Sequence, residues 1–288
     1  MTLSEANPMP ITRTFLFYTF PLVIYALSAA SHSKQPLGIH VSADYWTTTM
    51  QNRVQSGDVV TTDETLAGTA FSAFEMGIND DAHISYAVEL RHKLTSLPRV
   101  IYTKRSLLGE GSATATRNIN FIDTVITPDS ATRSKFDLSH TDITFYYPIV
   151  SSWIALDAGV TKRSMDGKIA IDALVIPEDD GTGTGTTAPT AATPSTKVSK
   201  NITLLYINST VQFPETDMAV NYVVNYSNSG SAHYSDMSLH MSYAMEGRDY
   251  DYFFYAGYKK MKFFDNDFGE VSSSLEVAGP FITIGVGL

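Results

Sequence analysis

Apolar and polar residues alternate with a period of two through most of this sequence. In LGIHVSADYW, which begins at Leu37, every second residue from Ile39 to Tyr45 is apolar. The pattern returns in HISYAVELR, LSHTDITFYY, WIALDAGVTKR, MAVNYVVNYS and SDMSLHMSYAM. Successive side chains of a β-strand point to opposite faces, so alternation predicts strands with one apolar face. No apolar stripe with helical spacing competes with it. The sequence therefore predicts an all-β protein.

The connections between the predicted strands alternate in length. We place strands at about 37–47, 82–93, 99–109, 134–148, 152–176, 199–213, 218–228, 234–246, 251–263 and 272–288. Long loops are then expected at 48–81, 110–133 and 177–198, and tight turns such as LTSLP and IVS lie between them. Short turns at one end and long loops at the other are typical of transmembrane barrels. The pattern predicts an antiparallel up-and-down β-barrel of about ten strands, with about eight or twelve strands and a soluble β-sandwich as the alternatives.

Aromatic residues are abundant and lie near the predicted strand ends. The chain contains 16 Tyr and 15 Phe, although its mean hydropathy is only −0.05. Tyr and Trp prefer the headgroup level of a bilayer, so these positions predict two aromatic girdles. The residues concerned are Tyr45, Trp46, Tyr146, Tyr147, Trp153, Phe213, Tyr250, Tyr252, Phe263 and Phe264.

The N-terminal segment has the form of a secretory signal peptide. An apolar run from Phe15 to Ala30 follows Arg13 and ends with small residues at Ser28 and Ala30, which predicts cleavage after a 1–30 signal peptide. A transmembrane anchor is disfavoured, because Pro21 interrupts a run shorter than a span needs. Residues 31–288 are then one exported barrel domain, expected in the outer membrane of a Gram-negative bacterium.

Composition excludes several classes of function. The chain has 30 Asp and Glu against 20 Lys and Arg, a net charge of −10, which disfavours nucleic acid as a partner. It has no cysteine, so disulfides, thiol catalysis and cysteine-ligated metals are excluded. We expect no cofactor and no metal. The expected partners are outer-membrane lipid, the barrel-assembly machinery and a small solute, and the expected state is a monomer.

Several stretches resemble a known family. They are DLSHTDITFYY with SWIALDAGVTKRSMDGK, the earlier YAVELRHKLTSLPRVIYT, and the closing YAGYKK and AGPFITIGVGL. They resemble an uncharacterised outer-membrane β-barrel family of Gram-negative bacteria that co-occurs with GlyGly-CTERM sorting. The resemblance implies a fold and a location but no activity. Loop 177–198 and the last residue, Leu288, depart from the family pattern. The final strand also resembles the C-terminal signal that the barrel-assembly machinery reads.

Polar residues on the inward face of the strands are the candidate functional residues. In a narrow barrel these charges must pair with one another or contact water, so we expect a polar network in the lumen. Its predicted members are His40, Asp44, His83, Glu89, Arg91, His140, Asp142, Asp157, Arg163, Asp236 and His240.

Two of these residues suggest a specific chemistry. His140 and Asp142 are two positions apart on one strand, so their side chains share a face, as a His–carboxylate pair requires. His83 or His240 could complete such a group across the lumen. We expect a non-enzymatic membrane protein, either a narrow channel for small solutes or a structural and surface-interaction protein. A membrane-embedded hydrolase that uses His140 and Asp142 is the alternative.

Overall fold

A computed structural model describes residues 37–56, 59–60, 65–72, 74–78, 81–175, 190–230, 232–247, 250–268 and 271–288. The predicted signal peptide, 1–30, and most of loop 177–198 lie outside these residues. The described strands are β1 (Leu37–Ser56), β2 (Val59–Val60), β3 (Thr65–Leu66), β4 (Ala70–Phe71), β5 (Asp81–His92), β6 (Arg99–Arg105), β7 (Leu108–Thr114), β8 (Ile119–Phe121), β9 (Thr124–Ile126), β10 (Ala131–Asp137), β11 (His140–Ser151), β12 (Ile154–Val175), β13 (Thr190–Ala192), β14 (Ser195–Gln212), β15 (Met218–Ser229), β16 (Ala232–Glu246), β17 (Asp251–Phe268) and β18 (Val271–Gly287). The described part of the chain contains no helix long and apolar enough to cross a membrane.

Ten of these strands close into an antiparallel barrel. The order around the ring is β11-β6-β5-β1-β18-β17-β16-β15-β14-β12, and β12 pairs with β11 again. The first and last strands of the chain also pair, from His40 opposite Gly287 to Ser56 opposite Val271. The prediction of about ten strands is confirmed, and a sheet closed in this way has no free edge within the ring.

The two ends of the barrel differ as the sequence predicts. At one end, short connections at 93–98, 152–153 and 213–217 join consecutive strands. At the other end long insertions separate β1 from β5 and β6 from β11. Short turns face the periplasm and long loops face the exterior in bacterial barrels, and this sets the orientation used below.

An apolar surface surrounds the periplasmic half of the ring. We call this surface the belt. Its members point outward from their strands and are exposed, and every strand of the ring contributes at least one: Tyr45, Tyr86, Val88, Leu90, Tyr102, Ile143, Phe145, Val160, Leu205, Tyr222, Tyr226, Met237, Leu239, Met241, Tyr258, Ile282 and Ile284. On a closed barrel with a polar lumen, such a belt is a lipid-facing surface. The chain is an outer-membrane β-barrel.

Beyond the belt the strands run further than the sequence predicts. Residues 49–56 of β1 continue the pairing with β18, β7 pairs with β10, and β10 pairs with β12. Assigning all of 48–81 and 110–133 to loops is therefore wrong. We call this outer part the head; it comprises the described residues of 49–78, 106–138, 165–202 and 261–279. The strands within 48–81 and 110–133 were not predicted, because their apolar residues point inward, in the opposite phase to the belt.

The head has a closely packed apolar core. Phe71 and Phe121 meet edge to face with ring centroids 5.4 Å apart, and both side chains are fully buried. Strands β8 and β9 form a hairpin that contributes Phe121 and Ile126 to this core. The wall contributes inward side chains such as Ile169 and Ile171 of β12. The outer half of the lumen is thus filled with apolar side chains.

Three aromatic residues assigned to the girdles face inward instead. Trp46, Tyr146 and Phe263 are all buried. Each neighbours an outward aromatic residue in sequence, Tyr45, Tyr147 and Phe264, and a strand turns adjacent side chains to opposite faces. The girdle interpretation is therefore wrong for the inward member of each pair.

Candidate functional site in the barrel lumen

A network of arginines and aspartates crosses the middle of the lumen. Arg163 of β12 donates from Nε and Nη2 to the two carboxylate oxygens of Asp142, at 2.8 and 2.7 Å. Its Nη2 also contacts Asp236 Oδ2 at 3.1 Å, and Arg105 Nη1 donates to the same oxygen at 2.8 Å. The Arg163 side chain is only 1% exposed. We call Arg105, Asp142, Arg163 and Asp236 the lumen network.

The positions of these strands in the ring show that the lumen network closes the lumen from wall to wall. Asp236 lies on β16 and Arg105 on β6, which are diametrically opposite in the ring order. The ion pair between them therefore spans the lumen, whereas Arg163 and Asp142 are direct cross-strand partners on β12 and β11. Buried charges are tolerated when each one is paired and hydrogen-bonded, and the geometry meets that condition for both carboxylates.

A second charged pair lies beside the lumen network. Lys259 Nζ contacts Asp44 Oδ2 at 2.8 Å, and the Thr283 hydroxyl donates to Asp44 Oδ1 at 2.9 Å. The Lys259 ammonium also lies 4.3 Å from the Phe281 ring centroid and 5.4 Å from that of Trp46. Arg105 approaches the same Trp46 ring at 5.9 Å. Trp46 therefore joins the two charged groups through cation–π contacts.

The periplasmic part of the lumen has a third polar group. Arg91 Nε donates to Glu89 Oε1 at 2.8 Å, and the Tyr146 hydroxyl donates to the same carboxylate. On the facing wall, Asn208 Nδ2 donates to Asp157 Oδ2 at 3.0 Å. Arg91 is exposed and Glu89 is half-buried. This group is therefore open to water, in contrast to the lumen network.

Glycines allow several lumen rings to lie flat against the wall. Gly285 is a clear case, because a Cβ there would lie 2.0 Å from the ring of its cross-strand partner Phe253. The same juxtaposition of an inward ring and a cross-strand glycine occurs in the pairs Tyr146–Gly159, His240–Gly257 and His40–Gly287. Inward glycines of this kind let a sheet curve and let a neighbouring ring cover the backbone.

The predicted histidines do not converge on one another. His83 contacts Thr48 Oγ1 at 3.0 Å, and His140 Nδ1 contacts the Leu138 carbonyl oxygen at 2.9 Å. His40 packs on Phe253, and His240 packs between Tyr255 and Phe281. Within the described ranges no group of three His, Asp or Glu side chains is placed to hold a metal ion.

The His140–Asp142 pair of the hydrolase alternative does not form. The Asp142 carboxylate accepts both of its hydrogen bonds from Arg163, and His140 Nδ1 is directed at the Leu138 backbone. His140 Nε2 is buried without a partner in the described structure. The structure thus brings together Asp142, Arg163 and Asp236 from the predicted set, and keeps the histidines apart.

Two cations of the lumen were missed by the sequence argument. Arg105 ends β6 and Lys259 lies in the middle of β17, and both side chains point inward and are buried. Both strands were predicted from the sequence, and the two cations occupy inward positions on them. Arg105 shares its face of β6 with Ile101 and Thr103, and Lys259 shares its face of β17 with Phe253, Tyr255 and Gly257. The alternation of VIYTKR and YAGYKK was therefore the signal that could have identified them.

Comparison with known proteins gives structural neighbours only. No family model and no curated protein matches the chain. The chain is similar to the outer membrane protease OmpT from Escherichia coli, with 10% identity and a TM-score of 0.46 over 90% of this chain and 98% of that chain. It is also similar to the Pseudomonas putida toluene transporter TodX, with 10% identity and a TM-score of 0.31 over 89% and 90% of the two chains. It is similar as well to the monoaromatic hydrocarbon channel CymD, with 12% identity and a TM-score of 0.31 over 87% of this chain and 88% of that chain. At such low identity no activity is carried over to this chain.

Proposed function

We propose that this protein is a non-conducting outer-membrane barrel that anchors its head at the cell surface, where the head makes the functional contacts. The observation that carries the proposal is the double closure of the lumen. The lumen network crosses the lumen at the level of the outer edge of the belt, and the apolar core of the head fills the part beyond it. A solute would have to separate buried ion pairs and displace packed apolar side chains.

This proposal selects one of the two non-enzymatic functions expected from the sequence. A narrow channel needs a continuous path lined by polar groups that contact water. In the lumen network the paired side chains are 10% exposed or less. The structural and surface-interaction function needs no such path, and the closed lumen supports it.

The hydrolase alternative draws no support from the geometry. A general base must reach the proton it removes and is usually oriented by a third group. Asp142 is fully engaged by Arg163, and His140 is buried and bonded to the backbone. Neither side chain faces an open cleft, so a substrate would have no approach to them.

We also propose that the chain belongs to the barrel family that it resembles in sequence. Membership of the barrel family that accompanies GlyGly-CTERM sorting would supply a fold and a location without a defined activity. We further propose that the barrel is a monomer, inserted by the barrel-assembly machinery and surrounded by outer-membrane lipid. The presence of a GlyGly-CTERM sorting system in the same genome tests the first point, and the mass of the detergent-solubilised barrel tests the second.

Planar-bilayer conductance tests the closed lumen. The folded chain, checked by heat-modifiable gel mobility, is added to a bilayer, and a general porin in an identical bilayer shows that insertion and recording work. We expect no unitary current steps from the folded protein. Reproducible steps that scale with its concentration would contradict the proposal and favour the narrow channel.

A further inference from the structure

Two exposed lysines lie just outside the outer edge of the belt. On β6, Lys104 follows the belt residue Tyr102 on the outward face, and on β12, Lys162 follows Val160 in the same way. Strand β11 separates them and pairs with both neighbours. The two ammonium groups therefore stand at the level where the lipid headgroups of the outer leaflet meet the barrel.

The strand register places a hydroxyl group between the strands of these lysines and an amide group beside them. Thr141 of β11 is opposite Lys104 on one side and Ser164 on the other, and the Ser164 hydroxyl donates to Asn201 Oδ1 at 2.7 Å. Lys162 is opposite Ile143, two positions from Thr141. With strands about 4.8 Å apart and a rise of about 3.4 Å per residue, the two lysines are separated by about 12 Å. Long, flexible lysine side chains can converge over that distance. The surface therefore presents two cations with hydroxyl and amide groups beside them.

The charge of this rim contrasts with that of the chain. The net charge of the protein is −10, yet the outward charged residues within six positions of the belt on β6, β12, β17 and β18 include four lysines, Lys104, Lys162, Lys260 and Lys262, and only two acids, Asp166 and Glu276. Lys260 and Lys262 both pair with Glu276. Over the described ranges, no carboxylate lies within ion-pair distance of Lys104 or Lys162. These two cations are the ones left for an external anion.

We propose that Lys104 and Lys162, with the Thr141 hydroxyl between their strands, bind the phosphorylated headgroup of an outer-leaflet lipid. Basic residues at a membrane surface are attracted to anionic lipid, and each contributes measurably to binding. The belt immediately below accommodates the acyl chains of the same molecule. This ligand follows from the position of the lysines, because a soluble anion would gain nothing from the adjacent belt. The site is independent of whether the lumen conducts.

The test uses the full-length folded barrel and purified lipid A, a doubly phosphorylated glucosamine lipid, in neutral detergent. Binding to the immobilised barrel gives a dissociation constant for the wild type and for a K104Q/K162Q variant. The matched control is K168Q/K197Q, since Lys168 and Lys197 are exposed cross-strand partners on β12 and β14. Lys168 lies six positions beyond Lys162, about 20 Å further from the belt. Heat-modifiable mobility shows that all three proteins are folded.

We expect K104Q/K162Q to weaken lipid A binding about tenfold or more, and K168Q/K197Q to change it by less than about twofold. Unchanged affinity in K104Q/K162Q would overturn the proposal. An equal loss in the control would also overturn it, because the attraction would then be a diffuse property of the surface. A third arm adds inorganic phosphate at constant ionic strength. Displacement of lipid A by phosphate alone would show a free-anion site and would contradict the lipid assignment.

Discussion

The membrane half and the head use the same strands with opposite polarity. Along β12, Val160 points to lipid and Arg163 points to the lumen, whereas further along Ile169 and Ile171 point inward and the adjacent Lys168 points to solvent. Strands β17 and β18 show the same inversion of polarity. On β17, Tyr258 points outward in the membrane half, whereas Phe263 points inward in the head. The surrounding solvent determines which face must be apolar. The point of inversion therefore marks the edge of the bilayer on each strand.

This comparison explains why the lumen is closed by two different chemistries. Inside the bilayer the outward face must be apolar, so polar residues are confined to the lumen and their charges must pair. In the head, water surrounds the outer face, so the interior can be an ordinary apolar core. One strand can serve both regions because its side chains alternate along its whole length.

Removal of Arg163 should give the largest effect. Arg163→Ala leaves Asp142 without both of its hydrogen bonds and leaves Asp236 with Arg105 alone. We expect a loss of about 3–5 kcal/mol in the free energy of unfolding, because a buried carboxylate loses its partner. Urea unfolding in lipid vesicles measures it. The control is Arg133→Ala, whose ion pair with Glu110 is exposed and should contribute less than about 1 kcal/mol. Equal losses of stability in the two variants would contradict the stabilising role of the lumen network.

A substitution in the head should have a smaller, local effect. Ile169→Ala removes a buried side chain from the apolar core and should cost about 2–4 kcal/mol. Protease cleavage within the head should accelerate, while the membrane half keeps its heat-modifiable mobility. Lys168→Ala on the opposite face of β12 is the control and should change stability by less than about 0.5 kcal/mol. Cooperative loss of the whole barrel in Ile169→Ala would show that the two regions are not separately stabilised.

The smallest effect concerns an ion pair on the surface of the head. Arg117 Nη2 donates to Glu75 Oε1 at 2.9 Å, and the Ser72 amide donates to Oε2 at 2.8 Å. Burial raises the pKa of Glu75, but the hydrogen bonds from Arg117 and Ser72 outweigh it and lower the pKa below its usual value of 4.5. Because the folded pKa is the lower one, this stabilisation is present above about pH 4.5 and is lost as the pH falls through the folded pKa.

Hydrogen exchange can detect that loss locally. Protection of the Met76 and Gly77 amides, which bond to Ser72 and Phe74 carbonyls, should fall as the pH drops below about 4.5, after correction for the intrinsic exchange rate. In Glu75→Gln the protection should be lower and independent of pH in this range. Protection that falls equally in the wild type and the variant would assign the pH dependence to another group.

Much of the barrel could be predicted from alternation, and the head could not. Asp142, Arg163 and Asp236 were assigned to the lumen from strand parity alone, because belt and lumen residues differ in polarity. Their contacts were not predictable, since the meeting of β6 and β16 depends on how the ring closes. Trp46 and Phe263 were assigned to the girdles because they lie near predicted strand ends, a criterion that takes no account of strand parity. The parts of the head within 48–81 and 110–133 were predicted to be loops, because their inward apolar residues do not fit a lipid-facing phase.

Site-directed spin labelling along the outward face of β12 tests the central claim most directly. The natural chain has no cysteine, so single variants such as Val160→Cys, Lys168→Cys and Asp172→Cys carry the only label. In vesicles, the label at 160 should collide with oxygen, which concentrates in lipid. Labels at 168 and 172 should collide with a water-soluble nickel complex instead. Lipid-like accessibility at 168 and 172, or water-like accessibility at 160, would contradict the inversion of polarity at the edge of the bilayer.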